Sequence, residues 1–165
     1  MTDPARPDRT ASGRDRSAAE LVAFREDGLE LSTDPGRLDL DRIHRWLSVE
    51  SYWAASRPRD VVERSIAGSI SVGVYDGDIQ VAYGRVVTDR ATFAWICDVF
   101  VDEPARGRGI GRWLMRAIVD HLHSLGVYRM LLATRDAHEL YARVGFTELI
   151  KPDQMMELDS RVNPP

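Results

Sequence analysis

From Gly28 onward the chain alternates between two spacings of apolar residues, one of period two and one of three to four, and each change of spacing marks an element. Gly28-Leu29-Glu30-Leu31-Ser32 alternates and predicts a first strand, ended by the turn residues Thr33-Asp34-Pro35-Gly36. Leu40, Ile43 and Leu47 fall three and four apart, the stripe of a helix for which Asp39 is the natural N-cap. A second helix is expected from Asp60, burying Val61, Val62 and Ile66 before Gly68. Ile70–Tyr75 and Ile79–Val87 read as strands joined by a hairpin turn at Asp76-Gly77-Asp78. Thr88-Asp89-Arg90 then leads into a long strand, Phe93–Val101.

Beyond that strand, Ile110, Leu114, Ile118, Leu122 and Leu125 make one helical stripe closed by Gly126. Tyr128–Ala133 is a near-continuous apolar run, which predicts a strand buried on both faces. A short helix capped by Thr134 or Asp136 is expected to run through Tyr141 to Gly145, with last strands at Phe146–Ile150 and Met155–Leu158. The order βααβββαβαββ specifies an α/β fold with a mixed sheet flanked by helices.

A length of 165 residues suits one domain, and 44% hydrophobic with 29% charged residues is the balance of a soluble globular protein. Residues 1–19 are rich in Pro, Arg, Asp, Ser and Thr and nearly lack large apolar side chains, so they are expected to form a tail. The domain is expected over residues 20–160, starting between Glu20 and Leu29. A net charge of −4 argues against a protein dedicated to nucleic acid. No apolar stretch approaches the length of a membrane span, no signal peptide is recognisable, and Cys97 is the only cysteine, so a cytoplasmic protein without a disulfide is expected. Cys97 lies in an apolar run and reads as a small buried hydrophobe. His44, His121, His123 and His138 have no spacing that suggests a metal site.

The chemistry concentrates where the long strand gives way, through a short acidic turn, to Arg106-Gly107-Arg108-Gly109-Ile110-Gly111-Arg112. Alternate glycines allow a tight curl with N–H groups brought close to a guest, and the helix that follows adds unpaired N–H groups and the positive end of its dipole. Three arginines give the guest the sign of an anion, and a pyrophosphate fits. A basic turn that only caps a helix would look the same in isolation. The spacing Gly-x-Gly-x-Gly differs from the Gly-x-Gly-x-x-Gly of a dinucleotide fold, and Arg112 stands where a P-loop needs lysine and then serine or threonine.

Arg106-Gly107-Arg108-Gly109-Ile110-Gly111 resembles the (Gln/Arg)-x-x-Gly-x-(Gly/Ala) acetyl-coenzyme A loop of the GNAT superfamily of acetyltransferases. Leu140-Tyr141-Ala142-Arg143-Val144-Gly145-Phe146 is similar to that family's Leu-Tyr-x-x-x-Gly-Phe segment. The resemblance covers roughly Leu29 to Leu158 and implies a mostly antiparallel, twisted GNAT-like sheet. It also implies acetyl-coenzyme A as co-substrate and a primary amine, small molecule or peptide, as acceptor, and it leaves room for a homodimer.

By the same resemblance the pantetheine arm pairs with the backbone of Val99, Phe100 and Val101, and the pyrophosphate rests on Gly107 to Arg112. Tyr141 is then the donor to the departing thiolate, although a tyrosine on a short helix is also a common core residue. Thr134 stands where many members have an asparagine that touches the cofactor.

Asp98 interrupts an apolar strand, and strict alternation points its side chain opposite to those of Cys97 and Val99. It either pairs with a neighbouring arginine or reaches solvent, or it faces the acceptor pocket and binds a cationic amine or relays its proton, with Glu103 in reserve. Tyr52 and Trp53 lie near the first helices, which border the acceptor pocket in this family. A non-catalytic acyl-coenzyme A-binding module of the same fold is the alternative.

Overall fold

The computed structural model describes residues 20–160. The tail expected before Glu20 lies outside them. Six strands form one sheet in the order β1-β2-β3-β4-β5-β6. They are β1 (Val22–Phe24), β2 (Leu29–Ser32), β3 (Ile70–Asp76), β4 (Ile79–Thr88), β5 (Ala94–Val101) and β6 (Met130–Leu131). All neighbours are antiparallel except β5 and β6, which are parallel. The helices are α1 (Leu40–Arg45), continued by a wider π-turn at Trp46–Glu50, α2 (Arg59–Ala67), α3 (Ile110–Ser124) and α4 (His138–Ala142). The mixed, mostly antiparallel sheet with flanking helices is the architecture that the sequence specifies.

Local signals act where expected. The Asp39 carboxylate accepts the Arg42 N–H at 2.9 Å and opens α1. The β3–β4 hairpin turns at Gly77-Asp78. The end of α3 closes with Gly126 N–H donating to His123 C=O and Val127 N–H to Leu122 C=O, while the fully buried Val127 packs beneath.

Two apolar clusters lie on opposite faces of the sheet. On one face Leu114, Ile118 and Leu122 of α3 pack on Val72, Val74, Val86 and Ile96. Gly84 of β4 permits that contact, because a Cβ there would stand 3.2 Å from Ile118 Cδ1 and 3.5 Å from Leu114 Cδ2. On the other face Ile43, Trp46, Leu47 and Val62 surround Tyr83 and Phe100.

Strand β5 changes faces in its middle. Arg85 pairs with Cys97 and Tyr83 with Phe100, so Gly84 alone opposes two residues, Asp98 and Val99. This is a β-bulge, and Asp98 has φ +53°, a left-handed conformation uncommon for a non-glycine residue. Ala94 and Ile96, before the bulge, belong to the α3 face, whereas Phe100, beyond it, belongs to the opposite one. The alternation expected of Asp98 is corrected accordingly. Its side chain lies on the same face as Cys97, because both meet Arg85 from β4.

Three further expectations are revised. β1 adds an edge strand before the expected first one, paired with β2. Tyr128–Ala133 contributes only the two-residue β6, which is half-buried, and Tyr128 is exposed. No strand forms at Phe146–Ile150 or Met155–Leu158. Ile150, Met156 and Leu158 are largely exposed, and a 3-10 turn at Pro152–Gln154 separates the two runs. Alternating apolar residues are necessary for a strand but do not provide a partner edge, and β6 is too short to offer one.

Candidate active site

A cleft opens where two parallel strands part. β5 and β6 are paired only at Ala94–Met130 and Trp95–Leu131. Beyond Trp95, β5 keeps its β4 neighbour but has no strand on its other side among the described residues, which leaves the outer backbone edge around Val99, Phe100 and Val101 without a strand partner. A cavity of about 940 Å³ follows that edge. It is bordered by Val99–Val101, Arg106 and Gly111 at one end and by Tyr52, Trp53, Arg57, Arg85 and Trp95 at the other, with Thr134 and Tyr141 along its side.

The glycine-arginine loop follows a 3-10 turn at Glu103–Ala105 and delivers the chain into α3. Asp102 fixes the start of that path, accepting from Trp46 Nε1 at 3.1 Å and from Arg42 Nη1 at 2.9 Å. Gly107 and Gly109 have φ of +80° and +73°, and a Cβ on either would project into open space. Gly109 is the N-cap of α3 and no side chain caps the helix, so its first-turn N–H groups remain available to a ligand. Free strand edge, uncapped helix and left-handed glycines together fit a long ligand with an extended amide arm and an anionic middle.

The arginines of the loop divide. Arg108 is held outside by Asp76 at 2.8 Å and Asp27 at 3.3 Å. Arg106 turns back, its Nε donating to Val101 C=O at 3.0 Å and its guanidinium lying over Phe100. Arg112 is exposed on α3. What the loop offers a guest is therefore first of all backbone N–H groups, and Ile110 is buried beneath as a core anchor.

Tyr141 sits on α4 with its ring edge-on to Phe146. Burial pushes its phenol up to about 12, with Tyr52 and Asp136 adding in the same direction. Thr134 Oγ1 accepts the Ala137 N–H at 3.0 Å, which organises the entry to α4 and leaves the hydroxyl proton for another acceptor. Tyr52 and Trp53 lie edge to face on the π-turn side, half open to the cavity. The Tyr52 hydroxyl meets Asp136 at 3.3 Å and accepts the Arg135 N–H at 3.1 Å, spanning the cleft mouth.

Asp98 is 4% exposed and bound by two arginines through one oxygen, Arg85 Nε at 2.7 Å and Arg57 Nη1 at 2.9 Å. Asp98 raises the Arg85 pKa against the opposing effect of burial. Burial also pushes the Cys97 thiol up to about 11, which leaves it protonated and a weak nucleophile. Glu103 is exposed and does not border the cavity. Sequence reasoning missed Arg57 and Arg85. Arg85 had a signal, a charge inside an apolar strand, while Arg57 had none. Among the described residues no group of His, Cys, Asp and Glu is placed to hold a metal ion. None of the described helices is long and apolar enough to cross a membrane.

The model of the acetyltransferase (GNAT) family matches residues 40–146, which include the bulged strand, the glycine loop and Tyr141. The chain belongs to this family. Its structure is similar to that of a GNAT-family protein of Xanthomonas campestris pv. campestris, at 42% identity over 83% of this chain and 95% of the other, with a TM-score of 0.77. A Gibberella zeae protein named as an acetyltransferase is 28% identical over 133 residues, 68% of this chain and 75% of its own length. A glucosamine 6-phosphate N-acetyltransferase of Oryza sativa subsp. japonica is 40% identical over 52 residues, 31% of this chain and 32% of its own length. Members of the family use acetyl-coenzyme A as acetyl donor, and this chain is an acetyltransferase.

Proposed function

We propose that this acetyltransferase binds acetyl-coenzyme A along the free edge of β5 and transfers the acetyl group directly to a primary amine in a ternary complex. The observation that carries the reading is the continuity of the cleft. One cavity runs from Gly111, at the uncapped start of α3, past Val99 and Tyr141 to the aromatic and arginine residues at its far end. Gly107 to Arg112 would receive the pyrophosphate on backbone N–H groups, and Val99, Phe100 and Val101 the pantetheine amides. Thr134 would donate its free proton to the same arm.

The amine nitrogen attacks the thioester carbon, the C–S bond breaks, and the thiolate departs. The amine loses one proton in forming the amide. An alkyl amine is neutral in only about one part in 10³ at pH 7, so its deprotonation must be assisted. Asp98 is poorly suited as the base, since Arg85 and Arg57 both hold it through one oxygen. We assign it a positioning role. Tyr141 supports the departing thiolate by donating a hydrogen bond. With its phenol near 12 and a thiol near ~8.5, full transfer of its proton would run uphill by about 5 kcal/mol. The amine's own proton is the better source for the thiol.

The alternative of a non-catalytic acyl-coenzyme A module lacks support from a specific feature. The open acceptor end and the Tyr141 hydroxyl in the cleft favour turnover. Release of free coenzyme A from acetyl-coenzyme A in the presence of small amines and peptides tests the reading. Acceptor-dependent release with an acetylated product is expected; tight binding of acetyl-coenzyme A without release by any acceptor would favour the module.

A further inference from the structure

We infer that the acceptor end of the cleft is an anion site, in which Arg57 and Arg85, held on Asp98, take a carboxylate or phosphate carried by the amine substrate. The inference rests on the acetyl-transfer reading of the same cleft and names its substrate class.

The charge at this end is unbalanced. One buried carboxylate faces two guanidiniums, and both bind the same oxygen through a single N–H each. One arginine is enough to neutralise Asp98, so the second leaves a surplus positive charge in a place where side chains are 13% and 23% exposed. Other charges bordering the cavity do not remove it. Glu50 is taken by Arg45 at 3.0 Å, while Asp136, which accepts from the Tyr52 hydroxyl, and Arg135, stacked over the Tyr52 ring, carry opposite charges that offset each other.

The donors are also free and held in place. Among the described residues the remaining N–H groups of the two arginines meet no acceptor, yet Tyr75 Oη is the one buried side-chain polar atom without a partner. The spare guanidinium edges therefore open onto the cavity, which both residues border. Arg85 is carried by central strand β4. Arg57 is fixed through its backbone, its N–H bonding Ala54 C=O at 3.0 Å and its C=O accepting from Ser48 Oγ at 2.6 Å, with His44 Nε2 at 3.2 Å. Guanidinium edges arranged in this way match the two oxygens of a carboxylate or the oxygens of a phosphate.

The position has a chemical consequence. Asp98 adjoins Val99, along which the pantetheine arm is proposed to lie, so the anion site abuts the arm that carries the acetyl group and suits an acceptor whose amine and anion are few bonds apart. An ammonium beside two guanidiniums is disfavoured relative to the neutral amine, so the same pair assists the deprotonation.

The test uses the full chain and matched acceptors: β-alanine against β-alaninamide, 2-aminoethyl phosphate against ethanolamine, and putrescine as a dication. The member of each pair that carries the anionic group is expected to show a kcat/KM at least tenfold above the member that lacks it, and the better of the two identifies carboxylate or phosphate as the group taken. Arg57→Gln should reduce that ratio at least tenfold, and Arg57→Lys, which keeps the charge but not the fork, should fall between. A ratio near one in the wild type, a ratio that survives Arg57→Gln, or putrescine as the best acceptor would overturn the inference. Calorimetry of the same pairs with coenzyme A-loaded protein decides the anion site even where no amine is acetylated, and equal or absent binding there overturns it. Binding of acetyl-coenzyme A alone reports separately on the underlying reading.

Discussion

At the scale of single residues, Asp98 and Tyr141 are the points where environment decides chemistry. Both were legible as candidates in the sequence, one as a charge in an apolar strand and the other within a family-like segment. Their surroundings were not. The arginines on Asp98 lie 13 and 41 positions away, and the face on which they meet is set by the bulge opposite Gly84. Asp98→Asn leaves two half-buried guanidiniums without their anion, a change that costs about 3 kcal/mol. The melting temperature should fall by roughly 6–12 °C, readable by calorimetry; an unchanged value would mean that the arginines are solvated independently of Asp98. Tyr141→Phe should lower kcat by ~10²-fold while acetyl-coenzyme A affinity stays within about twofold. Because burial raises the Tyr141 pKa to about 12, the phenol stays protonated throughout the working range, and kcat should show no descending limb between pH 7 and 10. A fall in kcat across that range that disappears in Tyr141→Phe would contradict this.

At the scale of elements, the site depends on three local irregularities, each within or beside a regular element. They are the bulge in β5, the left-handed glycines before α3 and the π-turn after α1. The regular elements were readable because apolar spacing and capping residues are local, as Asp39 and Gly126 show. A bulge is a property of two strands in register and left no mark in β5 alone. Gly84 is the partner that permits it, and the α3 side chains close above. Gly84→Val would drive a branched side chain into Ile118 and Leu114, an overpacking cost of about 1–3 kcal/mol. The expected outcome is a melting temperature lower by roughly 3–10 °C, with loss of acetyl-coenzyme A affinity as the β5 edge shifts. Retention of both would show that α3 tolerates displacement from the sheet.

At the scale of the whole molecule, function follows from one feature of the sheet: it stays closed from β1 to β5 and then parts before β6 is three residues long. The fold class was legible from the order of elements, and the glycine-arginine motif is what marks the proposed cofactor end. The last two expected strands failed because pairing is a global property, and residues 146–158 find no strand edge to join. Residues 1–19 contribute no apolar pattern, so their removal should leave the melting temperature within about 2 °C and acetyl-coenzyme A affinity unchanged; a larger loss would place the domain boundary earlier.

The central claim, that this cleft is where the acetyl donor lies, is tested most directly by calorimetric titration of wild type and Gly109→Val with acetyl-coenzyme A. Valine at φ +73° is strained, and its side chain projects into the open space above the α3 N-terminus. The account predicts one-to-one binding to the wild type and at least tenfold weaker binding to a variant that remains folded by circular dichroism. Equal affinities, or no binding to the wild type, would contradict it.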